Sequence, residues 1–183
     1  MKMNKLLIIF IVMSIYITGC GNQKYNSIKQ NVKSANTNEI LQEQKVEYKQ
    51  YTNGRFGFSI EYPSTFVTNV VPDNDDGRIF SARDDSTKLT VSGINNIFSD
   101  TAASVYNDLV KVHSNASYKK QEMNWFVVSW AEEDKIVYEK NVVGNGSIDT
   151  FIIKYPASQK KYYDSIVDHI NSSFKTPFTD VAH

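Results

Sequence analysis

The stretch "FGFSIEYPSTF" (residues 56–66) places Phe56, Phe58, Ile60 and Tyr62 on one side of an extended chain and Gly57, Ser59 and Glu61 on the other. A period of two marks a strand with one buried face. Pro63 has no N–H to give a ladder, so the strand is expected to end there. A half-buried strand needs partners with the same alternation, and the chain on its C-terminal side supplies them.

Val67 to Val71 reads as a short strand, and "PDNDDG" (Pro72 to Gly77) as a turn. Arg78 to Arg83 and Lys88 to Asn95 read as two strands joined by Asp84-Asp85-Ser86. Ser99 or Asp100 is placed to cap a helix in which Ala102, Val105, Tyr106, Leu109 and Val112 share a face. Three further strands are expected at Gln121 to Ala131, Ile136 to Val143 and Ser147 to Tyr155. "EEDK" (Glu132 to Lys135) and "GNG" (Gly144 to Gly146) supply the turn chemistry between them. After Ser158, Tyr163, Ile166, Val167, Ile170 and Phe174 recur at helical spacing. Runs of consecutive strands punctuated by single helices predict an α+β fold on an antiparallel sheet, not a doubly wound parallel one. Residues 49–177 suit one domain with one core, leaving 178–183 as a tail.

Upstream the texture changes. Residues 20–48 are almost wholly polar, with Ile28, Val32, Ile40, Leu41 and Val46 too scattered to form a face. Such a segment buries too little to offset its ordering entropy and is expected to act as a flexible tether. A short helix from Glu39 to Lys49, capped by Asn38, is the one element it suggests. About 27 flexible residues would span roughly 30 Å.

Residues 1–19 combine Lys2 and Lys5, an apolar run from Leu6 to Ile17 broken only by Ser14, and the small residues Thr18 and Gly19. These are the parts of a secretory signal peptide. The run is shorter than the roughly 20 residues a spanning helix needs. Ile17-Thr18-Gly19-Cys20 resembles the lipobox of bacterial lipoproteins, and Cys20 is the only cysteine in the chain. The resemblance implies cleavage between Gly19 and Cys20, a diacylglycerol thioether on Cys20, and a mature protein anchored by lipid on the extracytoplasmic face of the cell membrane. A lone cysteine has no intramolecular disulfide partner, and in an exported chain it calls for such a reason. No cofactor other than that covalent lipid is expected.

Charge narrows the partners. The chain has 20 basic and 20 acidic residues, and loss of Lys2 and Lys5 with the signal leaves a net charge of −2. Nucleic acid demands a basic stripe that displaces counterions, so no nucleic-acid partner is expected. The same near-neutrality argues against a polybasic grip on anionic lipid. The remaining partners are the membrane, through the anchor, and an envelope protein or small ligand.

Three stretches together resemble the PsbP-like domain. They are "FGFSIEYPSTF" (56–66), "DDGRIFSARDDSTKLTVSGINN" (75–96) and "YPASQKKYYDSIVDHINSSF" (155–174). The resemblance covers roughly Tyr51 to Lys175. It implies an α-β-α sandwich around an antiparallel sheet that acts as a non-enzymatic binding or assembly module, with no catalytic residues to carry over.

The residues that could carry chemistry are few. His113, His169 and His183 show no i, i+4 pairing, and no thiol is free to join them in a zinc site. No G-x-S-x-G elbow is present; "VSGIN" around Ser92 is not one. An extracytoplasmic hydrolase would need a site assembled from distant residues. Asp73, Asp75 and Asp76 crowd one loop and are weak candidates for Ca²⁺, but alignment on Gly77 puts Pro72 at position 1 and Arg83 at position 12 of an EF-hand, and the match fails. Trp125, Phe126 and Trp130 lie on one expected strand, Phe126 and Trp130 facing together and Trp125 opposite. They are core if helices cover both sheet faces, and a partner surface if one face is bare.

Overall fold

The computed structural model describes residues 45–177. In chain order the elements are β1 (Tyr48–Thr52), β2 (Ser59–Pro63), β3 (Val67–Val70), β4 (Gly77–Ser81), β5 (Lys88–Asn95), α1 (Ala102–Val112), β6 (Tyr118–Gln121), β7 (Trp125–Glu132), β8 (Lys135–Val143), β9 (Ser147–Pro156), one 3₁₀ turn (Ala157–Gln159) and α2 (Lys160–Ser173). β1 and β2 form a separate hairpin. The other seven strands form one antiparallel sheet in the order β3-β4-β5-β9-β8-β7-β6. The fold is α+β, with a helix on each face of the sheet.

Register assigns the faces. On β9, Phe151, Ile153 and Tyr155 point one way and join Tyr163, Ile166, Val167 and Ile170 of α2 in the larger core. Ile148 and Ile152 point the other way and join the cluster under α1. The β1–β2 hairpin lies on the α2 face, because Phe56, Phe58 and Ile60 are all buried in that larger core. Burying one such side chain stabilises by about 1.5–3 kcal/mol. Tyr62 packs half-buried against the same core, so the four residues expected to share a face do so, although Phe56 and Phe58 sit in the hairpin connection and not in β2. Asn53, 1% exposed, shapes that connection. Its Oδ1 accepts from the backbone N–H groups of Arg55 and Phe56, while its Nδ2 donates to the Asp75 carbonyl and the Tyr51 hydroxyl.

Two glycines are set by close approach. A Cβ on Gly77 would lie 2.0 Å from the Val91 carbonyl oxygen. One on Gly93 would lie 2.5 Å from the Phe56 ring and 2.9 Å from Asp149 Oδ1, so the hairpin settles onto the sheet only over a bare backbone.

Four expectations change. The strand expected at 121–131 is two strands, β6 and β7, with the turn at 122–124. Lys49, placed in a short helix, belongs to β1; residues 39–44 lie outside the described part. The cap of α1 is Thr101, whose hydroxyl accepts from the Ser104 N–H while Ser104 Oγ accepts from the Thr101 N–H, a reciprocal box. Val112 is 74% exposed, and Val110 takes the inward position instead.

Candidate functional site

Three connections meet at one end of the sheet: β5 to α1, β6 to β7, and β8 to β9. They enclose a cleft of about 320 Å³ lined by Asn96, Asp100, Thr101, Met123, Asn124 and Gly144 among others. Asn96 holds it together. It is 7% exposed, its Nδ2 donates to the carbonyls of Asp100 (2.9 Å) and Gly144 (2.8 Å), and its Oδ1 accepts from the Asp100 N–H (2.8 Å). Its own N–H donates to the Gly146 carbonyl at 3.0 Å. One side chain thus locks two loops, and a buried amide with its bonding groups filled is a rigid device.

What Asn96 holds out is apolar. Asn96 to Ser99 is a turn closed by the Ser99 N–H on the Asn96 carbonyl, with Ser99 at φ 55° and Ile97 and Phe98 at its two central positions. Ile97 is 72% exposed and Phe98 81%; Ile94 beside them and Met123 on the neighbouring turn are also exposed. Turn centres favour Pro, Asn, Asp and Gly, so two large apolar side chains there contribute nothing to forming the turn. The signal was present in the sequence, as "NIFS" between a strand and a helix cap.

The α2 side of the same end is basic. Trp125, the first residue of β7, is half-buried, and the Nζ atoms of Lys120 and Lys140 each lie 5.1 Å from its ring. Lys140 Nζ donates to Asn171 Oδ1 at 2.9 Å, and Lys175 Nζ to the Ser172 carbonyl. Burial lowers the Lys140 pKa, and the charges of Lys175 and Lys120 lower it further. Lys120 pairs with Glu122 at 3.6 Å.

Among the described residues that line the cleft, Asp100 is the one with an ionisable acid or base side chain. His169 Nε2 contacts Glu61 Oε2 at 2.6 Å and its ring stacks on Tyr48; His113 stacks on Trp130. Among the described residues neither ring has a hydrogen bond to a serine hydroxyl, and His183 lies outside them. The acidic turn is occupied by arginines: Arg55 pairs with Asp76, and Arg78 with Asp75 at 3.4 Å. No group of three metal-ligating side chains occurs among the described residues. Phe126 and Trp130 do face together, but inward into the α1 cluster, at 0% and 7% exposure, with Trp125 on the opposite face. None of the three forms an exposed strip. Gly19 and Cys20 lie outside the described residues.

Elsewhere, Asp149 is 3% exposed on the α2 face, and burial pushes its carboxyl up to about 7. Ser147 Oγ reaches Oδ2 at 3.5 Å, while Oδ1 has no hydrogen-bond partner among the described residues. On the other face the Glu139 carboxyl is also raised by burial, partly offset by the Asn141 amide.

The fold, an antiparallel sheet between two helices with a hairpin on one face, is like that of a solved PsbP structure. The chain is similar to the solution structure of cyanobacterial PsbP (CyanoP) from Synechocystis sp. PCC 6803, at 13% identity and a TM-score of 0.53, over 72% of this chain and 94% of that one. A crystal structure from Bacteroides thetaiotaomicron VPI-5482 aligns at 14% identity and a TM-score of 0.46, over 70% of this chain and 48% of that one. No protein-family model and no curated protein sequence matches the chain.

Proposed function

We propose that the protein is a lipid-anchored lipoprotein of the extracytoplasmic membrane face whose domain is a non-enzymatic binding or assembly module of the cell envelope. The observation that carries the binding role is the Asn96-pinned turn, which displays Ile97 and Phe98 next to the cleft. The lipobox-like Ile17-Thr18-Gly19-Cys20 supports the anchor, since two acyl chains hold a protein at a bilayer where one binds only reversibly. The likeness to a PsbP fold supports a module that works by contact.

Metabolic labelling with radioactive palmitate tests the anchor. Wild type should carry label and fractionate with membranes, and Cys20→Ser should lose the label. An unlabelled wild type, or a mass spectrum showing a bare Cys20 thiol, would sink this reading.

A further inference from the structure

The apolar turn and the lysine cluster lie at the same end of the sheet. Trp125 pairs with Val142, Val143 with Ile148, and Asn95 with Ser147, so the strand ends bearing the indole and the turn lie at the same end of the sheet, with β8 and β9 between them. We propose that this end docks on an anionic phospholipid bilayer, with Ile97 and Phe98 entering the interfacial layer and Lys120, Lys140 and Lys175 facing the lipid phosphates. The inference rests on the reading of the chain as lipid-anchored, which puts a bilayer within constant reach.

Shape favours this occupant. Two side chains at the corner of a turn form a convex tip, and a bilayer receives a tip without needing a matching pocket. Charge agrees. Lys140 and Lys175 donate to neutral oxygens, and among the described residues Lys120 is the one of the three lysines that pairs with a carboxylate, Glu122. Asp100 is the acidic residue nearest the turn, and its backbone, not its carboxylate, is bound to Asn96. An indole between two ammonium groups suits the headgroup layer, where an apolar body and a polar rim are both satisfied. Overall near-neutrality hides this patch, because its lysines come from positions 120, 140 and 175 and are gathered only by the fold.

Reach is sufficient. The 24 residues between Cys20 and Lys45 extend to at most roughly 80 Å, and the ten-residue β9 is about 34 Å long. An anchored domain is therefore able to present any of its ends to the membrane. Two inserted side chains alone would bind weakly, so tethering, which raises the effective concentration of the bilayer, makes such a tip effective.

The test uses the full chain, purified from membranes and reconstituted, carrying Phe98→Trp. Vesicles of brominated phosphatidylcholine, with or without 30% brominated phosphatidylglycerol, serve as quencher. With phosphatidylglycerol, F98W should lose at least twice the fraction of its emission that wild type loses through its own tryptophans. Combining Lys120→Gln, Lys140→Gln and Lys175→Gln should abolish the dependence on phosphatidylglycerol. Flotation of the same samples reads the anchor separately. If the protein floats but the F98W indole stays unquenched, the docking inference falls and the anchor stands. If the protein fails to float and its Cys20 thiol is bare, the anchor falls, and F98W quenching at millimolar lipid still decides the docking. An F98W signal that responds to protein concentration and not to lipid, with dimers in sedimentation, would assign this end to a second copy and overturn the proposal.

Discussion

The two faces of the sheet solve one burial problem with unequal means. On the α2 face, a hairpin and a 14-residue helix together cover the sheet, and Phe58, Phe151 and Phe174 meet ring to ring, with Tyr62 stacked on Phe80 at 4.0 Å. On the other face an 11-residue helix packs over β6, β7 and β8, with Ala102 its one fully buried residue. There Thr90, Ser92 and Ile152 are left half-buried and Ile94 is exposed. Stability is thus concentrated on the α2 side. The loops at the end of the thinner α1 side are free to present side chains outward, because the fold does not depend on burying them.

Truncation breaks that comparison most directly. Phe151→Ala empties a site that is 0% exposed between α2 and the sheet and should cost about 3–5 kcal/mol. Leu109→Ala on α1 removes a half-buried side chain and should cost about 1 kcal/mol. Urea denaturation of both variants checks the difference, and equal losses would show the two faces to be equivalent.

The next largest effect is one of pH. The Asp149 carboxyl titrates near 7 in the fold against an ordinary value of 3.8. A raised carboxyl contributes stability that is fully present below pH about 4. The contribution declines as the unfolded chain ionises while the native state keeps its proton, and it is gone above about 7. Against Asp149→Asn, wild type should therefore lose on the order of a few kcal/mol between pH 4 and pH 8. Parallel stability profiles across that range would remove Asp149 as the source.

The unequal faces also explain what the sequence disclosed. Turn residues on either side made β5, β8 and β9 legible to within a residue or two, and helical spacing exposed the buried stripe of α2. β1 escaped because "YKQYT" has no fully buried residue and so carries no hydrophobic period. β6 merged with β7 because "EMN" between them lacks the glycine or proline that marks a turn. The Lys120, Lys140 and Lys175 grouping depends on strand order, which no local window contains. Asn96 looked like any loop asparagine, its weight coming from a carbonyl 48 residues away. The PsbP-like resemblance succeeded for the fold because it rested on the α2-face pattern, where burial constrains residue type.

The smallest effect sharpens the comparison furthest, because it separates two residues that are neighbours in the same turn. Asn96→Ala removes the acceptor of the Asp100 N–H and the donor to two carbonyls inside a buried network, and should cost about 1–3 kcal/mol. Phe98→Ser removes a ring that is 81% in water and packs against nothing the fold requires. Its effect on stability should stay within about 0.5 kcal/mol, as for surface substitutions generally. Thermal and urea unfolding of the pair give the ratio. If the ring served the fold, losing it would open a gap and the two costs would converge. A Phe98→Ser loss above about 1 kcal/mol would therefore mean that the turn packs on its own protein instead of being held out to a partner.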